Sequence, residues 1–261
     1  MIFVVFAAVL GLLIGSFLNV CIARMPWEYS VVTPRSHCPQ CGQFLSWFEN
    51  IPVLSYVFLG GRCRHCRRPI SLRYPFVELL TAGCFAWAVY GAGWTWEGFR
   101  VCLFSALLIG LIFTDLDWLI LPDEFTLGGA AAGLALAAIE PLPVSLMGYF
   151  LPSASPRLAS FVEALVASVL ASGLLWAVGT LYMRFRGREG LGLGDVKMIA
   201  LLGAFLGIQR TLSVLVLGSL AGSIFGLIWI KLRGLKASTY EIPFGSFLGA
   251  AALLVALIGP A

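Results

Sequence analysis

The sequence is a succession of apolar runs, and their length constrains the fold more than any other feature. Segments at about 2–23, 76–92, 99–120, 124–140, 161–183, 195–208, 211–230 and 243–259 are nearly free of charge. A helix rises 1.5 Å per residue, so about 20 such residues cross the ~30 Å hydrocarbon layer of a bilayer. Inside that layer each backbone polar group must be satisfied within the segment, and helices do this. Composition agrees: 60% of residues are hydrophobic and 11% charged, against about 25% charged in an ordinary soluble domain. One water-soluble core of 261 residues could not hide that much apolar surface. The expected fold is an all-α polytopic membrane protein with about eight transmembrane helices, the sixth short enough to be broken or tilted. The first run lacks a basic leader and is too long and apolar for a cleaved signal peptide. Seven cysteines are too sparse for a secreted disulfide scaffold.

Between the first and second spans lies a polar stretch, about 24–75, holding both histidines and four of the cysteines. The chain thus divides into a first span (1–23), a small loop domain (24–75) and a membrane domain (76–261). The connection at about 141–160 carries Pro141, Pro143, Pro152 and Pro156 and reads as an extended surface loop. The basic residues fix sidedness. With the 24–75 loop inside, that side receives Arg24, Arg35, Arg62, Arg64, Arg67, Arg68, Arg73, Arg184, Arg186, Arg188, Lys197, Lys231, Arg233 and Lys236; the other receives Arg100, Arg157 and Arg210. A split of 14 to 3 places the loop in the cytoplasm and both termini outside.

Cys38-Pro-Gln-Cys41 and Cys63-Arg-His-Cys66 form two C-x-x-C pairs separated by 21 residues. Two such knuckles present four thiolates at tetrahedral spacing, which suits Zn²⁺. A cytoplasmic location opposes stable disulfides, and two separate pairs oppose a single redox dithiol. Four thiolates leave no open position for water, so the expected role is structural: the metal folds the loop domain. His37 and His65 flank a complete ligand set and read as solvated loop residues. Cys21, Cys84 and Cys102 read as small buried thiols in the spans.

The only aspartates are Asp115, Asp117, Asp123 and Asp195, each at or near the cytoplasmic end of a span. Acids in such places are costly, which makes them functional candidates. On a regular helix Asp115 and Asp117 project about 200° apart, so only one can face a partner inside the bundle. Asp123 follows Pro122 and reads first as a helix N-cap. Asp117 faces the headgroups, neutralises an arginine or supports a site. Asp195 is approached by Gly190-Leu-Gly192-Leu-Gly194, where missing side chains would let another backbone come close. The residues alone leave two readings of Asp195: a helix-start acid favoured by the dipole, or half of a carboxylate pair.

The spans contain no histidine, so a Ser–His or Cys–His nucleophile has no base there, and no His-Glu-x-x-His motif is present. Two carboxylates from different spans remain. A close pair can share a proton, one acting as base on water and the other donating to a carbonyl oxygen.

Gly192-Leu-Gly194-Asp195 matches the G-x-G-D motif of intramembrane aspartic proteases. The chain as a whole resembles the bacterial type IV prepilin peptidase family, also called prepilin leader peptidase/N-methyltransferase. The resemblance runs in order through Gly15-Ser-Phe-Leu-Asn-Val20 with Arg24 and Pro26, the paired C-x-x-C loop, Arg73-Tyr-Pro-Phe-Val-Glu-Leu79, Asp115-Leu-Asp117 with Leu121-Pro-Asp123, the G-x-G-D, and Pro243-Phe-Gly-Ser-Phe247. It implies a multi-pass enzyme of the bacterial inner membrane that removes the leader of prepilins or pseudopilins at the cytoplasmic face. It further implies N-methylation of the new terminus with S-adenosyl-L-methionine. On it, Asp115 and Asp195 match the catalytic aspartates, with Gly192, Gly194, Asp117 and Lys197 in supporting positions. Cys38, Cys41, Cys63 and Cys66 match the metal-binding cysteines of the loop linked to methylation. The expected partners are these protein substrates and membrane lipid, not nucleic acid. Asn19 and Glu78 read as an interhelical hydrogen bond and an ion pair with Arg24 or Arg73, with a methyl-transfer role open. The 141–160 connection looks long for the family. A transporter would keep acids near the midplane and show inverted repeats, and neither is present. A non-enzymatic receptor would leave Asp115 and Asp195 without a purpose.

Overall fold

A computed structural model describes residues 1–187, 192–234 and 242–258. Gly190, Arg188 and Lys236 of the sequence argument, and the end of the last span at 259, lie outside the described residues. The elements are helical: α1 (Ile2–Arg24), α2 (Leu54–Phe58), α3 (Arg73–Ala92), α4 (Trp96–Trp118), α5 (Asp123–Ile139), α6 (Met147–Phe150), α7 (Pro156–Arg186), α8 (Leu193–Arg233) and α9 (Phe244–Ile258). Short 3₁₀ turns occupy Met25–Trp27 and Trp47–Asn50. Among the described residues, five helical stretches are long and apolar enough to cross a membrane: Ile2–Trp27, Arg73–Ala92, Trp96–Trp118, Pro156–Arg186 and Leu193–Arg233. The chain is a multi-pass membrane protein. Helices α5 and α9, of 17 and 15 residues, are apolar but shorter.

The sixth and seventh apolar runs stay distinct, but a kink rather than a loop separates them. They form one 41-residue helical run, broken at Gly207, whose φ of 72° and ψ of −176° are not helical. The backbone amides freed by this kink need acceptors. Glu163 of α7 supplies one: its Oε1 accepts from Ile208 N at 2.9 Å, while Oε2 accepts from Met147 N at 2.9 Å. The 141–160 connection is also more ordered than an extended loop. It contains α6, and Ser155 caps α7 by accepting from Leu158 N, with Pro156 at the first helical position. That order of cap and proline is what a helix start favours.

Two compact units divide the chain, Met1–Gly110 and Leu111–Ala261. The first is built on close packing of α1 against α3. Gly11 and Gly15 form a G-x-x-x-G pair: a Cβ at Gly11 would lie 2.6 Å from Ala82 Cα, and one at Gly15 2.7 Å from Glu78 Cα. Small residues at this spacing let two membrane helices touch backbone to backbone. The second unit packs α8 against α5, α7 and α9. At Gly203 a Cβ would meet the Ser168 backbone nitrogen at 2.5 Å, and Ser168 Oγ hydrogen-bonds the Ala200 carbonyl across the same crossing. Outward-facing side chains of α7 such as Val169, Leu170, Leu174 and Val178 stay exposed, as lipid contact requires.

Candidate active site and metal centre

In the first unit the two cysteine pairs sit on equivalent tight turns. Cys38 N–H donates to Gln43 O (2.9 Å) and Cys38 O accepts from Gly42 N–H (2.8 Å); Cys63 N–H donates to Arg68 O (2.9 Å) and Cys63 O accepts from Arg67 N–H (3.0 Å). Each turn needs a left-handed residue four positions after its first cysteine. Gly42 fills it at φ 71°, and Arg67 at φ 58°, which costs a side-chain-bearing residue about 1 kcal/mol. The turns bring the four Sγ atoms within 4.8 Å of one another, with Cys38 and Cys66 sulfurs 3.9 Å apart. A tetrahedron with metal–sulfur bonds near 2.3 Å has edges of about 3.8 Å, so the donor set fits one ion. The thiols already behave as a crowd. The Gln43 amide draws Cys41 down, but desolvation and the neighbouring thiols outweigh it and push it up to about 11. Amides of Cys66 and His65 hold Cys63 down to about 7. Neither histidine belongs to the cluster; His37 leans edge-on against Phe44.

In the second unit, α4 ends at Trp118 and Leu119 turns left-handed (φ 55°), its N–H bonding Asp115 O at 2.9 Å. This ends the helix just past the two acids and separates them. Asp115 is buried, 5% exposed, and Asp117 faces outward. The buried carboxylate is held from α9: Asp115 Oδ2 accepts from Ser246 N at 2.6 Å and from Ser246 Oγ at 2.8 Å. Ser246 lies in the first turn of α9, so the positive end of that helix points at Asp115. Ser246 was not foreseen as a site residue. Its motif, Pro243-Phe-Gly-Ser-Phe247, was visible, but a backbone amide aimed at a carboxylate leaves no sequence mark.

Asp195 occupies the first turn of α8, half-buried. Leu121 lies against Gly194, the chain neighbour of Asp195, and also against Gly245, which borders Asp115, so the two acids flank one side chain. The glycines do different things from one another. A Cβ at Gly192 would stand 3.6 Å from Asp195 Oδ2, whereas one at Gly194 would meet Leu121 Cβ at 3.3 Å. Room beside Gly194 is therefore taken by a side chain of this protein, whereas at Gly192, among the described residues, a Cβ would meet only Asp195 Oδ2 and Gly194 N within 4 Å. Gly245 seats Leu121 and Asp115 together, 3.1 and 3.2 Å from its would-be Cβ. Asp123 is the first residue of α5 rather than its N-cap, which is Pro122, and makes no capping bond. Instead it pairs with Lys197 Nζ at 2.6 Å, tying the start of α5 to the start of α8. Proline's fixed φ places the chain in the helix entry without a side-chain acceptor, leaving the aspartate free for the lysine.

These features define a class: helical membrane proteins that carry two acids on different helices, one of them fully buried and doubly hydrogen-bonded. Sequence comparison gives the family. Residues 9–92 match the bacterial peptidase A24 N-terminal domain, and residues 102–227 match the type IV leader peptidase family. Proteins named prepilin leader peptidase/N-methyltransferase align over most of the chain. That of Myxococcus xanthus is 43% identical over 89% of this chain and 64% of its own length. Those of Xanthomonas campestris and Pseudomonas aeruginosa are each 35% identical, over 95% and 98% of this chain and 89% and 91% of their own lengths. The chain belongs to the type IV leader peptidase family. No solved structure matches it significantly.

Proposed function

We propose that the protein is a membrane-embedded aspartic endopeptidase that cleaves the leader from type IV prepilins and pseudopilins and N-methylates the new terminus. Asp115 and Asp195 form the catalytic dyad. The observation that carries this reading is their juxtaposition: Leu121 lies against both Gly194, next to Asp195, and Gly245, which also borders Asp115, in a region where isolated acids are expensive. One carboxylate removes a proton from water as it attacks the scissile carbonyl, and the other gives its proton to the carbonyl oxygen. Ser246 holds Asp115 Oδ2 in place. Gly192, which has no side chain beside Asp195 Oδ2, lets an extended substrate strand approach, which cleavage needs because a helix hides its carbonyls behind its own hydrogen bonds.

The four-cysteine cluster holds one Zn²⁺ through Cys38, Cys41, Cys63 and Cys66 and folds the 24–75 loop without entering the chemistry. The methyl donor, S-adenosyl-L-methionine, supplies an electrophilic methyl group. Two groups of the first unit fit a cationic amino group. Among the described residues Asn19 Oδ1 is buried without a hydrogen-bond partner, and the Glu78 carboxylate already accepts from Val53 N at 2.7 Å. Asn19 Nδ2 meanwhile donates to Tyr74 O at 3.0 Å. If α5, α9 and both halves of α8 each cross, the chain spans the bacterial inner membrane eight times, with the loop and the dyad on the cytoplasmic side. The division into 1–23, 24–75 and 76–261 then separates the methylation-linked loop from the peptidase helices. The test is direct: purified protein with Asp115→Asn or Asp195→Asn, incubated with a prepilin, loses leader removal while keeping its metal. Normal cleavage by either variant overturns the dyad.

A further inference from the structure

Among the described residues, the loop domain carries an apolar face left exposed. Trp47 is 75% exposed, Val57 65% and Phe58 85%. Leu54, Val57 and Phe58 lie at i, i+3 and i+4 of α2, on one face, while the opposite side is engaged: Tyr56 donates to Ile70 O at 3.3 Å and fills the space at Gly61. The helix has turned its apolar side outward and its polar tyrosine inward, the reverse of a helix folding in water. The face is continuous. The turn holding Trp47 and Phe48 packs against α2, those two rings meet edge-on at 5.8 Å, and Arg64 stacks over Phe48 at 5.3 Å.

The charge of the loop is mostly of one sign. Residues 24–75 contain seven arginines, no lysine and two glutamates. Glu49 is buried in a capping box with Ser46, so its charge is turned into the loop. Arg62, Arg64, Arg67 and Arg68 are all exposed. Both ends of the loop are tethered at membrane helices, α1 at Arg24 and α3 at Arg73, so the bilayer surface is always within its reach. Aromatic and aliphatic side chains ringed by arginine suit the interface between headgroups and acyl chains, and anionic lipid adds about 1 kcal/mol per basic residue near the surface.

We infer that the loop domain docks on the anionic headgroup surface of the bilayer through Trp47, Phe48, Leu54, Val57 and Phe58, with Arg64 among its flanking cations. Docking of this kind holds the four-cysteine domain at the bilayer surface. The inference rests on the membrane reading of α1 and α3 and is independent of the dyad.

The test places a photocrosslinker in the whole protein, Phe58→p-benzoylphenylalanine, in nanodiscs of phosphatidylglycerol or phosphatidylcholine. Both leaflets are the same in each disc, so sidedness does not enter. Irradiation should give lipid adducts, with a yield about fivefold higher in phosphatidylglycerol. Arg64→Gln with Arg68→Gln should bring that yield down toward the phosphatidylcholine value. Metal content reports folding, and the same probe at Leu54 replaces Phe58 if that variant loses its metal. Equal adduct yields in the two lipids, adducts to a second copy of the chain, or no adduct at all each overturn the inference.

Discussion

The cysteine loop and the aspartate pair are built by opposite means. Every ligand of the loop lies within 29 consecutive residues, Cys38 to Cys66, and each knuckle closes through its own backbone bonds. The aspartate site draws on α4, α8 and α9, and its firmest bond joins residues 131 positions apart. A local motif with little apolar core needs an ion to stay folded. A site assembled from distant helices is instead held by the packing of those helices. The loop should therefore fail by losing its metal, and the aspartate site by losing its helix contacts or its acids.

The largest expected effect lies at the acids. Asp115→Asn and Asp195→Asn should each lower leader removal by at least about a thousandfold, as loss of a catalytic acid–base group does, with metal content unchanged. Asp117→Asn, on the outward face, should stay within a few-fold. Loss of activity in Asp117→Asn but not in Asp115→Asn would exchange their roles. Next comes the loop. Cys38→Ser with Cys63→Ser should take the purified protein from about one zinc per chain to none, and protease should then cut within 24–75 while the membrane helices survive. Stoichiometric zinc in that variant would erase the contrast between the regions.

Helix packing comes third. Gly203→Val pushes two methyl groups into the Ala167–Ser168 backbone of α7, and overpacking of this kind costs about 1–3 kcal/mol. Its midpoint of thermal unfolding should drop without loss of zinc, because the glycine belongs to the second unit. Ser246→Ala removes one of two donors to Asp115 and keeps the backbone amide. A hydrogen bond to a charged acceptor is worth roughly 1.5–3 kcal/mol, so kcat should fall about tenfold or more, with KM little changed and Ser246→Thr restoring it. An unchanged kcat would mean that the amide alone positions the carboxylate. The smallest effect is expected for Lys197→Met. Its pairing with Asp123 is partly exposed, and such pairs contribute about 0–1 kcal/mol, so cleavage and unfolding should both stay near those of the parent protein.

The regions differ equally in how far they could be read in advance. C-x-x-C spacing names the four ligands because the turn that closes each knuckle is set by neighbouring residues. The pairing of Asp115 with Asp195 came from elimination and from resemblance, since spacing on a helix says only that Asp115 and Asp117 cannot both face inward. Asp123 was misread because Asx-before-helix is a frequent N-cap pattern, whereas Pro122 had already set the helix entry and Lys197 offered a charge. Glu163 drew no notice, since a glutamate inside an apolar run carries no sign of the kink it will serve.

By itself the sequence determined which segments are helices bound for a membrane, which four thiols gather, and which few acids were worth weighing. These follow from hydrocarbon thickness, local turn geometry and the cost of charge in lipid, all of which act over a few neighbouring residues or on single ones. Tertiary structure alone decided that Asp115 is the buried acid, that both donors of Ser246 meet its Oδ2, that Leu121 fills the space at Gly194, and that Glu163 binds the Ile208 amide at the α8 kink. Those contacts join elements far apart in the chain, and several use backbone amides, which every residue but proline carries and no residue type announces.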